Sequence, residues 1–460
     1  MDWRSMISRY ILIPIGKTYS GREYFKALRY QKFLENSQYW ERERIEGFRN
    51  IQFRRLVSHC YANVPYYRNY MRKNSLKISD FRTVEDIKKL PILSKELLNR
   101  NFNDLKAENY DKNAIKYEAT GGTTGTPTRI GRDKSIEYIS DANNRRFWKY
   151  AGFVPGMNLT TMWGNEYDLL KLKTGRGKIK RMMENVNTLN CFDLTEEKIR
   201  VYTENIQRNK PEIIRGYASA ICFYVNYCKK VDIHFNNHPK SIILTSDKIL
   251  KKQKDEIADF FGSDVYEEYG CQEFSLLAHE CSAHKGLHLA EELFIFELYN
   301  KRIYSRDFIA RGEVIVTPLF NFAIPLLRYK LGDEISVSDE NCACGRQLKL
   351  VKEVNGRISD FVVTKSDKFI HGELFAHLIT PIKGILYYQV RQYEKGAVVI
   401  HFVKDRSCKI NDRDLENLCM NLKKIFGNDM DLRIEEKERI PLSPSGKRRS
   451  VVSDTIGSIL

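Results

Sequence analysis

The sequence of 460 residues predicts an α/β protein in which a large N-terminal part, a layered α/β unit with an added β subdomain, is followed by a small α+β domain. Three observations predict it. Between residues 135 and 269, short apolar runs alternate with helix-length stretches, the rhythm of a largely parallel sheet covered by helices. From Gly286 to about Val337 the strands follow one another closely, as antiparallel neighbours do. Beyond residue 360 a hairpin pattern, one amphipathic helix and a last strand form a unit large enough to have its own core.

Taken in order, residues 20–75 read as helices, with Tyr24, Leu28, Tyr30, Phe33 and Leu34 at helical spacing until Pro65, Tyr66 and Tyr67 interrupt it. Residues 1–60 hold 12 basic and 6 acidic side chains, and a solvated basic helix surface is the plainer explanation. Strands are expected at Leu159–Trp163, Ile213–Tyr217, Ser241–Thr245 and Val265–Tyr269. Helices are expected at Ser135–Tyr150, Glu196–Arg208, Ala218–Lys230 and Ile249–Phe261. The β subdomain would use Leu293–Leu298, Glu313–Thr317 and Glu334–Val337. In the last part, Ile385–Tyr393 and Ala397–Lys404 pair around a Glu-Lys-Gly turn. Asp412–Phe426 then places Leu415, Leu418, Cys419, Leu422 and Ile425 on one helical side, and Leu432–Glu436 closes as a strand. The expected domains are residues 1–356 and 357–460.

Lys plus Arg number 76 and Asp plus Glu 59, a formal charge of +17 that points to an acidic partner: nucleic acid, an anionic membrane or phosphorylated small molecules. No apolar run approaches the ~20 residues of a membrane span, and Tyr10–Ile15 is too short for the core of a signal peptide, so the chain is expected in the cytoplasm. Six of the ten cysteines stand alone (Cys60, Cys191, Cys222, Cys228, Cys408 and Cys419) and read as buried free thiols. Cys271, Cys281, Cys342 and Cys344 lie close to histidines or to each other. No zinc-finger spacing, helix-turn-helix pattern or aromatic RNA-binding motif accompanies the charge, so no nucleic-acid partner is expected.

The segment Thr120-Gly121-Gly122-Thr123-Thr124-Gly125-Thr126-Pro127-Thr128 has the chemistry of a phosphate cradle. Its glycines let the backbone approach a ligand, and its threonines supply hydroxyl donors. It lacks the Gly-Lys-Ser/Thr ending of a Walker loop. The segment resembles the phosphate loop of the adenylate-forming enzymes, the acyl-CoA synthetase superfamily. Four more of that family's motifs follow in its order: Tyr269-Gly270-Cys271-Gln272-Glu273, Arg328-Tyr329-Lys330-Leu331-Gly332-Asp333, Gly356-Arg357-Ile358-Ser359-Asp360 and Pro444-Ser445-Gly446-Lys447. Asn63-Val64-Pro65-Tyr66-Tyr67-Arg68, Ile213-Ile214-Arg215-Gly216-Tyr217 and Cys342-Ala343-Cys344-Gly345-Arg346 are similar to the phenylacetate–CoA ligase branch, and most of all to its CapK-type members of capsular polysaccharide biosynthesis.

The resemblance implies a large nucleotide- and substrate-binding domain and a small mobile lid domain carrying Lys447. It implies ATP and Mg²⁺ as cofactors and CoA as the simplest acceptor. Residues 120–126 would hold the β- and γ-phosphates. Many relatives have Lys where this chain has Thr126, so the phosphate charge must be met elsewhere, by Mg²⁺ or Arg129. Tyr269 would pack on adenine, Glu273 would bind Mg²⁺, Asp333 would accept from the ribose hydroxyls and Arg357 would contact the nucleotide. Asp360 would be the hinge, and Lys447 would reach the carboxylate and α-phosphate as the acyl-adenylate forms. The substrate is a small-molecule carboxylate, and the acceptor is a thiol or a polysaccharide precursor. The pocket is expected among Asn143–Trp148, Trp163–Glu166 and Gly216–Ala220. A catalytically inactive scaffold of the same fold and a basic nucleic-acid-binding protein are the alternatives.

Cys281 and His284, with Cys342 and Cys344 some 60 residues later, make a three-thiolate, one-imidazole set for structural Zn²⁺, with His288 and His279 as alternative ligands. Cys271 lies inside the nucleotide motif and reads as pocket lining. Six cations between Lys171 and Arg181 read as an exposed loop, open to peripheral contact with an anionic membrane.

Overall fold

The computed structural model describes residues 8, 13–120, 128–163, 182, 184–191, 193–194, 196–235, 237–246, 251–304, 309–354, 361–366, 368–379, 381–404, 409–440 and 450–455. Three helices lead: α1 (Ile13–Ser37), α2 (Arg42–Asn63) and α3 (Pro65–Lys73). Helix α2 buries Ile45, Arg49, Phe53, Leu56, Val57 and Cys60, a helical stripe. Pro65 does not end the helical region; it opens α3 at the first-turn position where a missing N–H costs nothing. The basic surface is partly committed. Arg42 and Arg49 pair with buried Glu291, whereas Lys26, Arg29 and Lys32 are exposed.

Helix α4 (Lys95–Arg100), capped by Ser94, precedes the hairpin of β1 (Ile115–Thr120) and β2 (Thr128–Asp133). Asp133 then caps α5 (Lys134–Trp148), its Oδ1 accepting from the N–H groups of Ser135 and Ile136. The parallel part follows: β3 (Leu159–Trp163), β4 (Val186–Asn190), a short β5 (Asp193–Leu194), α6 (Glu196–Asn209), β6 (Ile213–Tyr217), α7 (Ala218–Lys230), β7 (Ser241–Thr245), α8 (Lys251–Phe261) and β8 (Asp264–Cys271). The remaining strands of the large sheet are β9 (Ser275–Glu280), β10 (Leu287–Leu289), β11 (Phe294–Tyr304), β12 (Ile309–Pro318), β13 (Tyr329–Ser338) and β14 (Leu350–Val354).

These strands form one sheet of eleven, in the order β11-β12-β13-β14-β10-β9-β8-β7-β6-β3-β4. The β region is therefore continuous with the parallel strands rather than a separate appendage. Strand β8 makes the join. Its first half, Asp264–Glu267, pairs parallel with β7, and its second half, from Glu268 to Cys271, pairs antiparallel with β9. One face of the parallel part, with Ile214, Ile242, Leu244 and Val265, packs on helices through Ile199, Tyr224, Val225, Ile257 and Phe261. Leu159, Ile213, Ile243 and Tyr266 form the other face, against Phe153 and Met157.

The C-terminal part holds β15 (Phe361–Val363), β16 (Phe369–His371), α9 (Glu373–Ile379), β17 (Ile385–Glu394), β18 (Ala397–Lys404), α10 (Asp412–Phe426), β19 (Asp431–Glu436) and β20 (Val451–Ser453). Its four-stranded sheet runs β19-β18-β17-β20. A core of its own joins Leu418, Leu422 and Phe426 of α10 to Val390, Val398, Ile400 and Phe402. Gln392, fully buried, ties β15 to the end of β20: its Nε2 donates to Val363 O, and its Oε1 accepts from Val363 N and Ser453 Oγ. The two parts of the chain also share a ladder, since β16 pairs with β5 as well as with β15. Among the described residues no helix is long and apolar enough to cross a membrane.

Candidate active site

Two of the sequence motifs meet at the turn from β8 to β9. Gly270 opens this turn; a Cβ there would sit 2.6 Å from Ser275 O, so the close strand approach requires glycine. Helix α5 holds the turn from behind: Asn143 Nδ2 donates to Leu276 O at 2.8 Å, and Ser275 Oγ donates to Asn144 Oδ1 at 3.1 Å. Across the site, β13 presents Tyr329 and Asp333. Tyr329 OH donates to Glu273 Oε1 at 3.0 Å, and Tyr269 OH donates to Asp333 Oδ2 at 3.1 Å. Both tyrosines are buried, whereas both carboxylates remain half-buried. Each acid is therefore fixed by a phenol and still reaches solvent, as oxygen ligands for a cation or a sugar hydroxyl must.

Entry to β13 is held by Arg328, in the left-handed region at φ +54. Its guanidinium makes a two-bond fork to Glu297 at 3.0 and 2.9 Å and donates to Leu90 O at 2.7 Å. Burial pushes the Cys271 thiol well above its ordinary range, and Glu273 and Asp333 nearby add to this, so the thiol stays protonated as a wall of the site.

The other expected nucleotide contacts fall elsewhere. Thr120 ends β1 opposite Thr128, while Gly121, Gly122, Thr123, Thr124, Gly125 and Thr126 lie outside the described residues. So do Arg357, Asp360 and Lys447, the boundary at 356/357, and the basic stretch from 171 to 181. Of the expected pocket residues, Asn143, Arg146 and Phe147 are buried in the core instead. Arg146 Nη1 donates to fully buried Glu292 at 2.8 Å, and Ser37 Oγ of α1 donates to the same oxygen. Trp148 does face the sheet, its Nε1 donating to Glu268 Oε2 at 3.0 Å. Two features of this region go beyond the motif roles. Tyr329 belongs to the Arg328–Asp333 motif, whose spacing alone assigns it no partner. The Arg215–Glu268 pair had one available signal, a charge inside an otherwise apolar strand run.

Beside β10 and β14, the thiols of Cys281, Cys342 and Cys344 and the imidazole of His288 gather so that one ligand atom of each lies within 4.8 Å of the others. Cys281 Sγ and Cys342 Sγ are 3.6 Å apart, and Cys344 Sγ is 3.3 Å from His288 Nε2. Ligands about 2.0–2.3 Å from a tetrahedral ion stand roughly 3.3–3.8 Å from each other, so the donor set fits Zn²⁺. His288 Nδ1 faces Leu348 O at 3.3 Å, which orients the ring so that Nε2 points at the thiols. Burial holds His288 down to about 4, neutral and able to ligate.

His284 is a correction: the cluster holds His288 in its place. Residues 281–286 form a turn in which His284 N–H donates to Cys281 O, with His284 at φ +48, and its Nδ1 lies 3.1 Å from Glu280 Oε1. Gly286, at φ +135 and packed on Val351 O, then folds the chain back so that His288 arrives over the thiols. His279 is buried and turns its Nδ1 to Glu280 O at 2.6 Å.

Comparison with known proteins adds three findings. Residues 362–454 match the CapK C-terminal domain family. The chain is 30% identical over 432 residues to the phenylacetate-coenzyme A ligase of Escherichia coli K12, covering 87% of this chain and 93% of that protein. It is 22% identical over 422 residues to Protein CapK of Staphylococcus aureus, covering 88% of each. Among solved structures, a 2-hydroxyisobutyryl-CoA ligase in complex with 2-HIB-AMP and CoA aligns over 90% of each chain, with a TM-score of 0.61 at 15% identity, which shows a common fold.

Proposed function

The chain belongs to the phenylacetate-coenzyme A ligase family and is an adenylate-forming ligase, and on that premise we propose that it activates a carboxylic acid with ATP as an acyl-adenylate, releasing pyrophosphate. The acyl group then passes to the thiol of CoA, releasing AMP. The crossed pairs Tyr269–Asp333 and Tyr329–Glu273 carry this proposal, because they set two half-exposed carboxylates on one rim as a nucleotide site needs.

In this reading Tyr269 packs on adenine, Asp333 accepts from the ribose and Glu273 holds Mg²⁺, a hard cation that prefers oxygen. Residues 120–126 and Arg357 contact the phosphates and nucleotide, Asp360 is the hinge and Lys447 stabilises the charge that builds during adenylation. Residues 357–460 act as the lid, which rotates between the two half-reactions. Zn²⁺ on Cys281, His288, Cys342 and Cys344 is structural, clipping β10 to the segment before β14.

A place in capsular polysaccharide synthesis is supported by the likeness to Protein CapK and by the CapK C-terminal domain. The final acceptor would then be a polysaccharide precursor. The enzyme would work in the cytoplasm, its exposed Lys26, Arg29 and Lys32 suiting it to peripheral contact with an anionic membrane. The experiment is carboxylate-dependent ATP–pyrophosphate exchange across an acid panel. Exchange that requires both Glu273 and Lys447 supports the proposal, and exchange absent with every acid refutes it.

A further inference from the structure

The sheet face that packs on Phe153 and Met157 changes character along its strands. Toward the amino ends it is apolar, with Leu159, Ile213, Ile243 and Tyr266 in one cluster. Two residues on, the same face carries Thr188, Thr161 and Arg215, at the middle of β4, β3 and β6, and Glu268, where β8 leaves its parallel partner. The pairing register places Thr161 beside both Thr188 and Arg215, and the hydroxyls of Thr161 and Thr188 are 3.0 Å apart. In open α/β sheets the carboxyl ends of parallel strands are where ligands bind. The row lies on the carboxyl-terminal side of the apolar cluster and adjoins Tyr269, the next residue after Glu268.

The Arg215–Glu268 pair is built for recognition. Arg215 Nε donates to Glu268 Oε1 at 2.9 Å, and Nη2 donates to the same oxygen. Trp148 occupies the other oxygen. The guanidinium lies 4.8 Å from the Trp163 ring centroid and 5.2 Å from that of Trp148, so its plane is fixed. The Glu268 side chain is 0% exposed and that of Arg215 is 14% exposed, so the cation is the end that reaches outward. Two of its five N–H donors go to Glu268, and no other acceptor for them lies in reach among the described residues.

From this row we infer that the acid this enzyme activates carries neutral polar groups, hydroxyl or amide, on its acyl part, recognised by Arg215; the inference rests on the acid-activating function proposed above. An apolar acyl group pressed on this row would strip Arg215 and the threonine hydroxyls of water without replacing their hydrogen bonds, the situation in which polar sites reject apolar analogues. A second carboxylate is disfavoured as well, because Glu268 already balances the one cation.

The test is ATP–pyrophosphate exchange by the full chain with phenylacetate, hexanoate, succinate, 4-hydroxyphenylacetate, gluconate and N-acetylglycine. Polar neutral-tailed acids should exceed phenylacetate, hexanoate and succinate by about tenfold or more in kcat/KM. The double variant Arg215→Met/Glu268→Met removes both charges together and should shift that ratio about tenfold toward phenylacetate, with KM for ATP unchanged. Thr161→Val, which keeps shape, should shift the ratio in the same direction by a smaller factor, whether or not the double variant folds. Exchange led by phenylacetate, or a ratio unmoved in Thr161→Val, overturns this inference alone. Exchange with none of the acids overturns the proposed function and the inference with it.

Discussion

Tyr329 and Glu273 stand 56 residues apart in sequence, yet the tyrosine hydroxyl donates to the glutamate at 3.0 Å. The bond links the turn after β8 to the start of β13, so the position of one candidate ligand depends on another motif's strand. Replacing Tyr329 by Phe keeps the ring in its core and removes only the donor. We expect about 1 kcal/mol of lost stability and roughly a tenfold fall in exchange, since a misplaced carboxylate costs about 1.4 kcal/mol per decade. Urea unfolding and exchange kinetics on the one variant check both.

The cysteine–histidine cluster separates two histidines that sequence spacing alone cannot. Purified protein should contain one zinc per chain by elemental analysis. His288→Ala should lose most of it and unfold at lower temperature, whereas His284→Ala, which faces Glu280, should retain it. Zinc retained in His288→Ala and lost in His284→Ala would reverse the assignment.

Arg146 and Glu292 are each fully buried and pair at 2.8 Å, with Ser37 joining from α1. Arg146→Met leaves Glu292 buried without its partner and should cost about 3–5 kcal/mol. The double variant Arg146→Met/Glu292→Met should recover most of that loss. A double variant as unstable as the single one in urea unfolding would show that the pair is not the source.

Asp429 gives a pH dependence. Burial pushes its carboxyl up, but hydrogen bonds from Ser366 and Lys368 outweigh it and hold the group down to about 2, from 3.8. A folded pKa below the unfolded one gives stability that is complete above about pH 4 and lost as pH falls toward 2. Asp429→Asn should therefore be less stable than the parent by about 1–2 kcal/mol at pH 7, and by roughly half as much at pH 3. An unchanged gap between the two pH values would rule out the carboxylate as its cause.

The parallel strands were legible because strands buried on both faces are largely apolar runs, as in Ser241–Thr245 and, apart from Arg215, Ile213–Tyr217. The join at β8 was not, because which edge each half of a strand uses is set by partners far away in sequence. The motif residues Tyr269, Glu273 and Asp333 were legible by resemblance, and the structure brings them together. The phenol donors that fix the two acids depend on packing across the sheet and left no mark in spacing. His288 was only an alternative, because the reversal at Gly286, which carries it back over Cys281, is a backbone event with no ligand-spacing signature. The alignment of Arg215 with Thr161 on one face is set by strand register, which residue spacing does not record.

In the proposed reaction this chain forms acyl-adenylates with Lys447 as the charge-stabilising group. This is tested most directly by carboxylate-dependent ATP–pyrophosphate exchange in the parent and in Lys447→Ala, using the best acid of the panel. Exchange is expected in the parent, with a loss of at least about a hundredfold in the variant and the fold intact by thermal unfolding. Exchange at the parent rate in Lys447→Ala would contradict it.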